Sequence, residues 1–187
     1  PSKRGLWPFG KRAPRSTFTA VDGVDLEIRR GEIFGLLGPN GAGKTSTIRI
    51  ITTITGADSG QVYFMDERLN KNHPSRMGYL PEERGLYKKM KVGDHLVYLA
   101  RLKGLSTYDA TKKCKEMLHR FEALDWWYKK VEELSKGMQQ KIQFIATIVH
   151  DPVLLILDEP FTGLDPINSQ MIQEEIYRLR DKGVTIL

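Results

Sequence analysis

The spacing of apolar residues changes along the chain between strand-like runs and helical periodicity, which predicts a mixed α/β fold. Short apolar or alternating runs predict strands at 17–28 (around the turn Asp22-Gly23), 33–37, 61–65, 77–80, 153–157 and 184–187. Those at 33–37 and 153–157 are continuously apolar, as expected of buried parallel strands. Apolar residues at helical spacing predict helices at 45–55, 91–102, 106–121, 136–149 and 169–180.

The order of these segments predicts how the chain is divided. Strands bracket a helix-rich middle, and the simplest architecture is a parallel α/β core interrupted by a helical insertion. We expect an α/β core at 17–85 and 151–187, with a small antiparallel β part, and a helical subdomain at 86–150. Residues 1–16 are basic and rich in proline and glycine, which predicts an arm or a poorly ordered segment.

Composition narrows the class of protein only slightly. The chain has 187 residues and a net charge of +6, and its basic residues are interpreted mainly as solvated helix faces. No apolar run approaches the ~20 residues that a membrane-spanning helix needs. Cys114 is the single cysteine, so a disulfide within the chain is excluded, and its polar surroundings in sequence suggest no chemical role.

A glycine-rich stretch after the first apolar run fits the pattern G-x-x-x-x-G-K-[ST]. It is called the phosphate loop below and comprises residues 38–45. Glycines allow the backbone amides to point at phosphate oxygens, and the positive end of the following helix adds to the attraction. Lys44 supplies a charge for the β- and γ-phosphates, and the Thr45 hydroxyl is a ligand for Mg²⁺. The predicted contacts are Asn40, Gly41, Ala42, Gly43, Lys44, Thr45 and Ser46.

Two acids follow the second continuous apolar run. Asp158 and Glu159 come directly after Leu157 and before Pro160. Such a pair is usually a solvated loop when it stands alone, but a phosphate loop upstream reverses that interpretation. Asp158 is then expected to hold Mg²⁺, and Glu159 to polarise the attacking water as a catalytic residue beside Lys44. Together the motifs predict a P-loop nucleoside triphosphatase core.

At this point the sequence resembles the ATP-binding cassette family over roughly 17–187. Residues 134–138 (Leu-Ser-Lys-Gly-Met) resemble the family signature Leu-Ser-Gly-Gly-Gln, and 162–165 resemble its D-loop. The resemblance implies two nucleotides sandwiched in a head-to-tail pair of domains. Ser135 and Gly137 would then contact the partner's ATP, and Asp165 of the D-loop is also assigned to nucleotide binding. Lys136 and Met138 depart from the signature.

The resemblance also implies three further features. Glu82 stands where the family keeps a glutamine, so we expect it near Mg²⁺. The adenine-stacking aromatic is assigned to Phe18, since the position predicted by spacing, Arg15, is not aromatic. The family's switch histidine would follow Leu187, so hydrolysis by the chain as given is left open.

The resemblance implies a function as well. We expect Mg²⁺-dependent ATP hydrolysis that powers export at the cytoplasmic face of a membrane. The stretch 79–87 resembles export-type ATPases and, near Glu83, Arg84, Leu86 and Tyr87, would dock a separate transmembrane subunit. A soluble mechanical ATPase acting on ribosomes or DNA is an alternative, although no nucleic acid partner is expected. A binding-only regulatory cassette is another.

Overall fold

The structure, a computed structural model, describes residues 18–82 and 85–187. The predicted arm at 1–16, as well as Thr17, Glu83 and Arg84, lies outside the described residues. Helices within that part of the chain are α1 (Lys44–Ile51), α2 (Val92–Leu102), α3 (Thr107–Arg120), α4 (Lys136–Ile148) and α5 (Pro166–Asp181). Strands are β1 (Tyr63–Phe64), β2 (Glu67–Arg68), β3 (Met77–Leu80), β4 (Leu154–Leu157) and β5 (Thr185–Ile186).

A parallel sheet forms the centre of the fold. Its order is β3-β4-β5, with Leu80 opposite Leu157 and Leu155 opposite Ile186. The segment before the phosphate loop continues the sheet beyond β5, because Phe34 donates its N–H to the carbonyl of Ile186 at 2.8 Å. Parallel strands place their carboxyl ends at one edge, so the phosphate loop and the acids after β4 share that edge.

Two groups of apolar side chains cover opposite faces of this sheet. One joins helices α2 to α5 with sheet residues such as Leu80 and Leu155. The other joins Ile48 of α1 and Phe64 of β1 with Met77 and Ile156. Alternate strand residues point to opposite faces, and the sheet is therefore buried on both sides. This layered arrangement confirms the predicted α/β class.

The antiparallel part of the fold is a small hairpin. It does not lie at 17–28, where the alternation of apolar and polar residues predicted strands around a turn. β1 pairs with β2 through a turn at Met65 and Asp66, whose φ angles are +53° and +67°. The prediction of strands at 17–28 was wrong for its described part, since 18–28 forms no strand and Phe18 is 87% exposed. Among the described residues, no strand pairs with this segment.

Two predicted elements next to the phosphate loop are shorter or more open than expected. α1 ends at Ile51 rather than at residue 55, because Thr53 adopts a φ of +60° that cannot continue a helix. The run at 33–37 forms a single parallel bridge between Ile33 and Ile186 instead of a fully buried strand. Its alternate side chains Phe34 and Leu36 pack on the core, whereas Leu37 is 91% exposed.

The helix-rich middle packs as sequence periodicity predicted. Ser106 caps α3 by accepting from the N–H of Asp109, and Trp126 and Trp127 pack against the helical side of the core. Cys114 was interpreted as lying in a polar pattern, but its side chain is fully buried in α3. Its position on the apolar face, with Ala110 and Leu118, explains the burial. The division of the chain at residues 85/86 and 150/151 stays a proposal.

A buried carboxylate connects the helical middle to α5. Glu175 of α5 is only 4% exposed and accepts from Arg178 at 2.7 Å and from Arg120 of α3 at 3.1 Å. A buried carboxylate requires such partners, because an unpaired buried charge is strongly destabilising. The ion pairs therefore hold α3 against the helix that follows the acidic pair.

Candidate nucleotide site

The phosphate loop forms a turn around the Lys44 ammonium group. Gly41 and Gly43 adopt φ angles of +83° and +86°, which side chains with a Cβ rarely adopt. Lys44 Nζ donates to the carbonyl oxygens of Gly38 at 2.7 Å and Pro39 at 3.0 Å. The lysine thus lies across the loop, where a phosphate chain would replace these carbonyls as its partner.

Helix α1 begins at Lys44, so its first turn faces the same loop. The N–H of Thr47 bonds to the Gly43 carbonyl at 2.8 Å, whereas those of Lys44, Thr45 and Ser46 precede the first helical bond. The first turn contains no acidic residue. Three amide donors, the helix dipole and one lysine therefore converge on a site suited to phosphate.

The rim of the loop remains open to ligands. Asn40, Gly41 and Ala42 are exposed, while Thr45 and Ser46 are half-buried in the first turn of α1. The Ala42 N–H closes the loop onto the Pro39 carbonyl at 3.2 Å. These residues are placed as the pattern G-x-x-x-x-G-K-[ST] requires, and their contacts with a nucleotide stay a prediction.

The segment that carries Phe18 runs directly against this loop. A Cβ added to Gly43 would lie 2.5 Å from the carbonyl oxygen of Ala20, so only glycine permits this approach. Phe18 is two residues earlier and its ring is 87% exposed. The ring is thus available for stacking on a base beside the phosphate loop, which is the position expected of an adenine contact.

Asp158 lies at the carboxyl edge of the sheet, where its N–H bonds to the Leu80 carbonyl at 2.9 Å. Its Oδ2 atom is buried and has no hydrogen-bond partner among the described residues. Burial raises the pKa of Asp158, as does the nearby charge of Glu159, while Lys44 and Arg49 oppose that rise. The carboxylate therefore faces the phosphate loop with an unsatisfied oxygen.

That unsatisfied oxygen fits a magnesium ion. Carboxylate and hydroxyl oxygens are ligands that Mg²⁺ prefers, and the ion usually completes its shell with water and phosphate oxygens. Within 18–82 and 85–187 there is no group of three or more His, Cys, Asp or Glu side chains able to hold a metal. Asp158 and Thr45 would hold the ion together with water and oxygens of the nucleotide.

Glu159 projects from a strained turn beside Asp158. Its φ angle is +52°, and its Oε2 atom accepts a hydrogen bond of 2.8 Å from the hydroxyl of Thr162. The side chain is exposed. Non-glycine residues in this conformation are concentrated at functional sites, because the surrounding structure must hold them there. The sequence resemblance placed Thr162 in the D-loop stretch 162–165 but did not predict its bond to Glu159, since a threonine three residues after an acid carries no signal of such a contact.

The signature segment forms the start of α4. Ser135 caps the helix by accepting from the N–H of Met138 at 3.3 Å. Ser135 and Lys136 are exposed, and a Cβ on Gly137 would meet no atom within 4 Å. Sequence reasoning missed Gln139, whose side-chain amide donates to the carbonyls of Val131 and Leu134. These two bonds of Gln139 therefore fix the exposed start of α4 to the segment that precedes it.

The remaining two predicted residues have different surroundings. Asp165 caps α5 by accepting from the N–H of Asn168 at 2.9 Å, and this bond lowers the pKa of its carboxyl group. Glu82 is exposed two residues after β3. Neither position contradicts a role at a nucleotide, but the bonds of Asp165 show a structural role in capping a helix.

An extended segment bonded to the edge of the parallel sheet, a glycine-rich loop and a helix, with an acidic pair at the same sheet edge, define a P-loop protein that binds nucleoside triphosphates. The family model described as ABC transporter matches residues 21–162. The chain therefore belongs to the ABC transporter family, among its ATP-binding proteins.

Individual relatives agree with this assignment. The chain is 53% identical to the uncharacterized ABC transporter ATP-binding protein YhaQ of Bacillus subtilis over 170 residues, which cover 91% of the chain and 57% of that protein. It is 34% identical to the linearmycin resistance ATP-binding protein LnrL of the same organism, covering 90% of the chain and 55% of LnrL. The chain thus spans little more than half the length of these relatives.

Solved structures show the same fold. The ATP-binding subunit of an ABC transporter superposes with a TM-score of 0.82 at 30% identity, covering 90% of this chain and 72% of that one. The dimeric cassette MJ0796 bound to ADP and Pi superposes with a TM-score of 0.81 at 22% identity, covering 89% and 78%. Among the described residues, no helix has both the length and the apolar character needed to cross a membrane.

Proposed function

We propose that this chain binds Mg·ATP and hydrolyses it as the nucleotide-binding unit of an ABC exporter. The observation that carries the proposal is that Asp158, whose Oδ2 atom is buried without a hydrogen-bond partner among the described residues, lies at the same sheet edge as the phosphate loop and its Lys44. A cation for phosphate and an oxygen ligand for magnesium are the two groups that ATP hydrolysis requires together.

Different residues of the site bind the phosphates, hold magnesium and orient the attacking water. Amides of α1 and the phosphate loop bind the phosphates, and Lys44 exchanges its bonds to the Gly38 and Pro39 carbonyls for phosphate oxygens. Thr45 and Asp158 would hold Mg²⁺, which neutralises charge on the β- and γ-phosphates when it is bound. Glu159 orients the attacking water with the carboxylate oxygen that Thr162 does not occupy.

A second copy of the domain completes the site in this proposal. Ser135 and Lys136 are exposed at the start of α4, and the half-buried Gly137 has open space where a Cβ would lie, so this helix start is available to a ligand that a neighbouring domain brings. The MJ0796 cassette bound to ADP and Pi, which shares this fold, is dimeric. Across a head-to-tail pair, the start of α4 would close over the γ-phosphate held by the partner's phosphate loop.

Coupling to a membrane is proposed from the region after β3. Tyr87 is 51% exposed and packs edge-on against Tyr98 of α2, and Leu86 is half-buried beside it. An exposed aromatic pair, with Tyr98 on α2 and Tyr87 on the segment before it, suits the docking of a helix from a separate transmembrane subunit. The names of LnrL and of the Nod factor export ATP-binding proteins support export as the direction.

Titration with Mg·ATP, following binding and phosphate release together, tests the proposal. We expect the protein to bind Mg·ATP, Lys44→Ala to lose binding, and Lys71→Ala, which removes an exposed lysine elsewhere, to keep it. Glu159→Gln should bind ATP but release phosphate slowly, and should accumulate as a dimer. Equal affinity of the Lys44→Ala protein and the unaltered protein would refute the assigned site.

A further inference from the structure

Thr162 is three residues after Glu159, on the turn that joins β4 to α5. Two hydrogen bonds connect the pair: the Thr162 hydroxyl donates to Glu159 Oε2 at 2.8 Å, and the Thr162 N–H donates to the Glu159 carbonyl at 3.2 Å. The backbone bond closes the turn, and the bond from the hydroxyl binds the carboxylate of the glutamate. No role in the reaction has so far been given to the threonine.

The backbone on both sides of this pair is anchored. Asp158 is bonded to Leu80 across the sheet, and Asp165 caps α5 three residues after Thr162. The N–H of Leu164 also bonds to the carbonyl of Phe161 at 3.2 Å. A hydroxyl on a turn held at both ends has a defined position, so it can act as a fixed donor.

The glutamate needs such a donor. Its side chain is exposed and has three rotatable bonds, so without a partner it would occupy several rotamers. An ionised carboxylate accepts through both oxygens. With Oε2 occupied by Thr162, one orientation is selected and Oε1 remains available to a water molecule.

We propose that Thr162 is a positioning residue for hydrolysis, which fixes the Glu159 carboxylate so that its free oxygen faces the attacking water. This inference rests on the proposed function and specifies how the same site works. Thr162 itself would contact neither ATP nor the water. Its loss is therefore expected to slow the chemical step and to leave nucleotide binding intact.

Steady-state ATP turnover and equilibrium nucleotide binding of two variants test the inference. Thr162→Val keeps the shape and removes the donor, and we expect kcat to fall by about tenfold, at the low end for a hydrogen bond to an exposed charged group. The KM and Kd for ATP should change by less than about twofold. Thr162→Ser restores the hydroxyl and should recover most of kcat, while Thr55→Val controls for loss of an exposed threonine.

A double variant shows whether the effect passes through the glutamate. In a Glu159→Ala background, Thr162→Val should not slow single-turnover phosphate release further, since residues that act together are not additive. Unchanged kcat in Thr162→Val, failure of serine to rescue, or an additive loss in the double variant would each overturn the inference. Absence of turnover in the unaltered protein would refute the proposed function, and this inference with it.

Discussion

Replacement of Gly43 by alanine should destabilise the protein more than the same replacement at Gly41. Both glycines belong to the phosphate loop and have nearly equal φ angles, +86° and +83°. They differ in what an added Cβ would meet: the Ala20 carbonyl oxygen at 2.5 Å for Gly43, and nothing within 4 Å for Gly41. Gly41→Ala is thus a matched control for the backbone conformation alone.

The magnitude follows from two contributions. A left-handed conformation costs a non-glycine residue about 1–2 kcal/mol, and this cost is common to both variants. At Gly43 the contact of 2.5 Å must also lengthen, and it does so against backbone atoms rather than a flexible side chain. Overpacking of this kind adds about 1–3 kcal/mol, so Gly43→Ala should be the less stable variant by that amount.

Urea and thermal unfolding without nucleotide, followed by circular dichroism, measure the difference. The extra cost at Gly43 should lower Tm by roughly 2–4 °C per kcal/mol in a chain of this size. The absence of nucleotide separates stability from lost phosphate contacts, which either variant would suffer. If the two variants unfold at the same urea concentration, the packing of the 18–21 segment against the phosphate loop, and with it the placement of Phe18, would be refuted.

Three further predictions concern buried titratable groups. Burial lowers the pKa of His95 from 6.5 to about 4, so the unfolded chain binds a proton first and His95 should reduce the free energy of unfolding by roughly 3 kcal/mol between pH 6.5 and 4. In urea titrations His95→Phe should remove this share of the pH dependence and leave the similar share of half-buried His150, whereas exposed His119→Gln should change neither. Burial raises the pKa of Cys114 to about 12, so a disulfide reagent at pH 8 should label it only after unfolding, and rapid labelling of native protein would contradict the structure. Asp158→Asn should raise the Tm of the nucleotide-free protein, because it removes a buried charge, and should abolish the Tm increase caused by Mg·ATP; a lower Tm without nucleotide would argue against the buried carboxylate.

The sequence predicted correctly those elements whose hydrophobic period and end signals lie within the element itself. β3 has the predicted bounds, 77–80, and α4 begins at Lys136 after the cap Ser135. A short apolar run, or an amphipathic stretch with a capping residue, carries its own period and boundary. The glycine pattern of the phosphate loop is equally local, because φ angles above zero at Gly41 and Gly43 are a property of the backbone itself.

Other parts of the fold depended on partners that are distant in sequence. Alternation at 18–28 gave no strand, and no strand in the described part of the chain pairs with it, while Cys114 is buried because its helix face meets the core. The predicted helix past Ile51 stops where Thr53 turns into the left-handed region. Hydrophobic pattern alone does not distinguish an exposed from a paired segment, since pairing is decided by the neighbours.

In the candidate site, too, some features follow from local sequence and others depend on residues that are distant along the chain. The sequence by itself determined that a phosphate loop and an acidic pair are present, because each motif is a contiguous run whose chemistry follows from its residues. Only the tertiary structure decided that Asp158 shares a sheet edge with the phosphate loop, that Asp158 Oδ2 lacks a partner among the described residues, and that Thr162 holds Glu159. The sheet brings residues more than a hundred positions apart to one edge, and side-chain rotamers on a strained turn are set by packing, which no local pattern records.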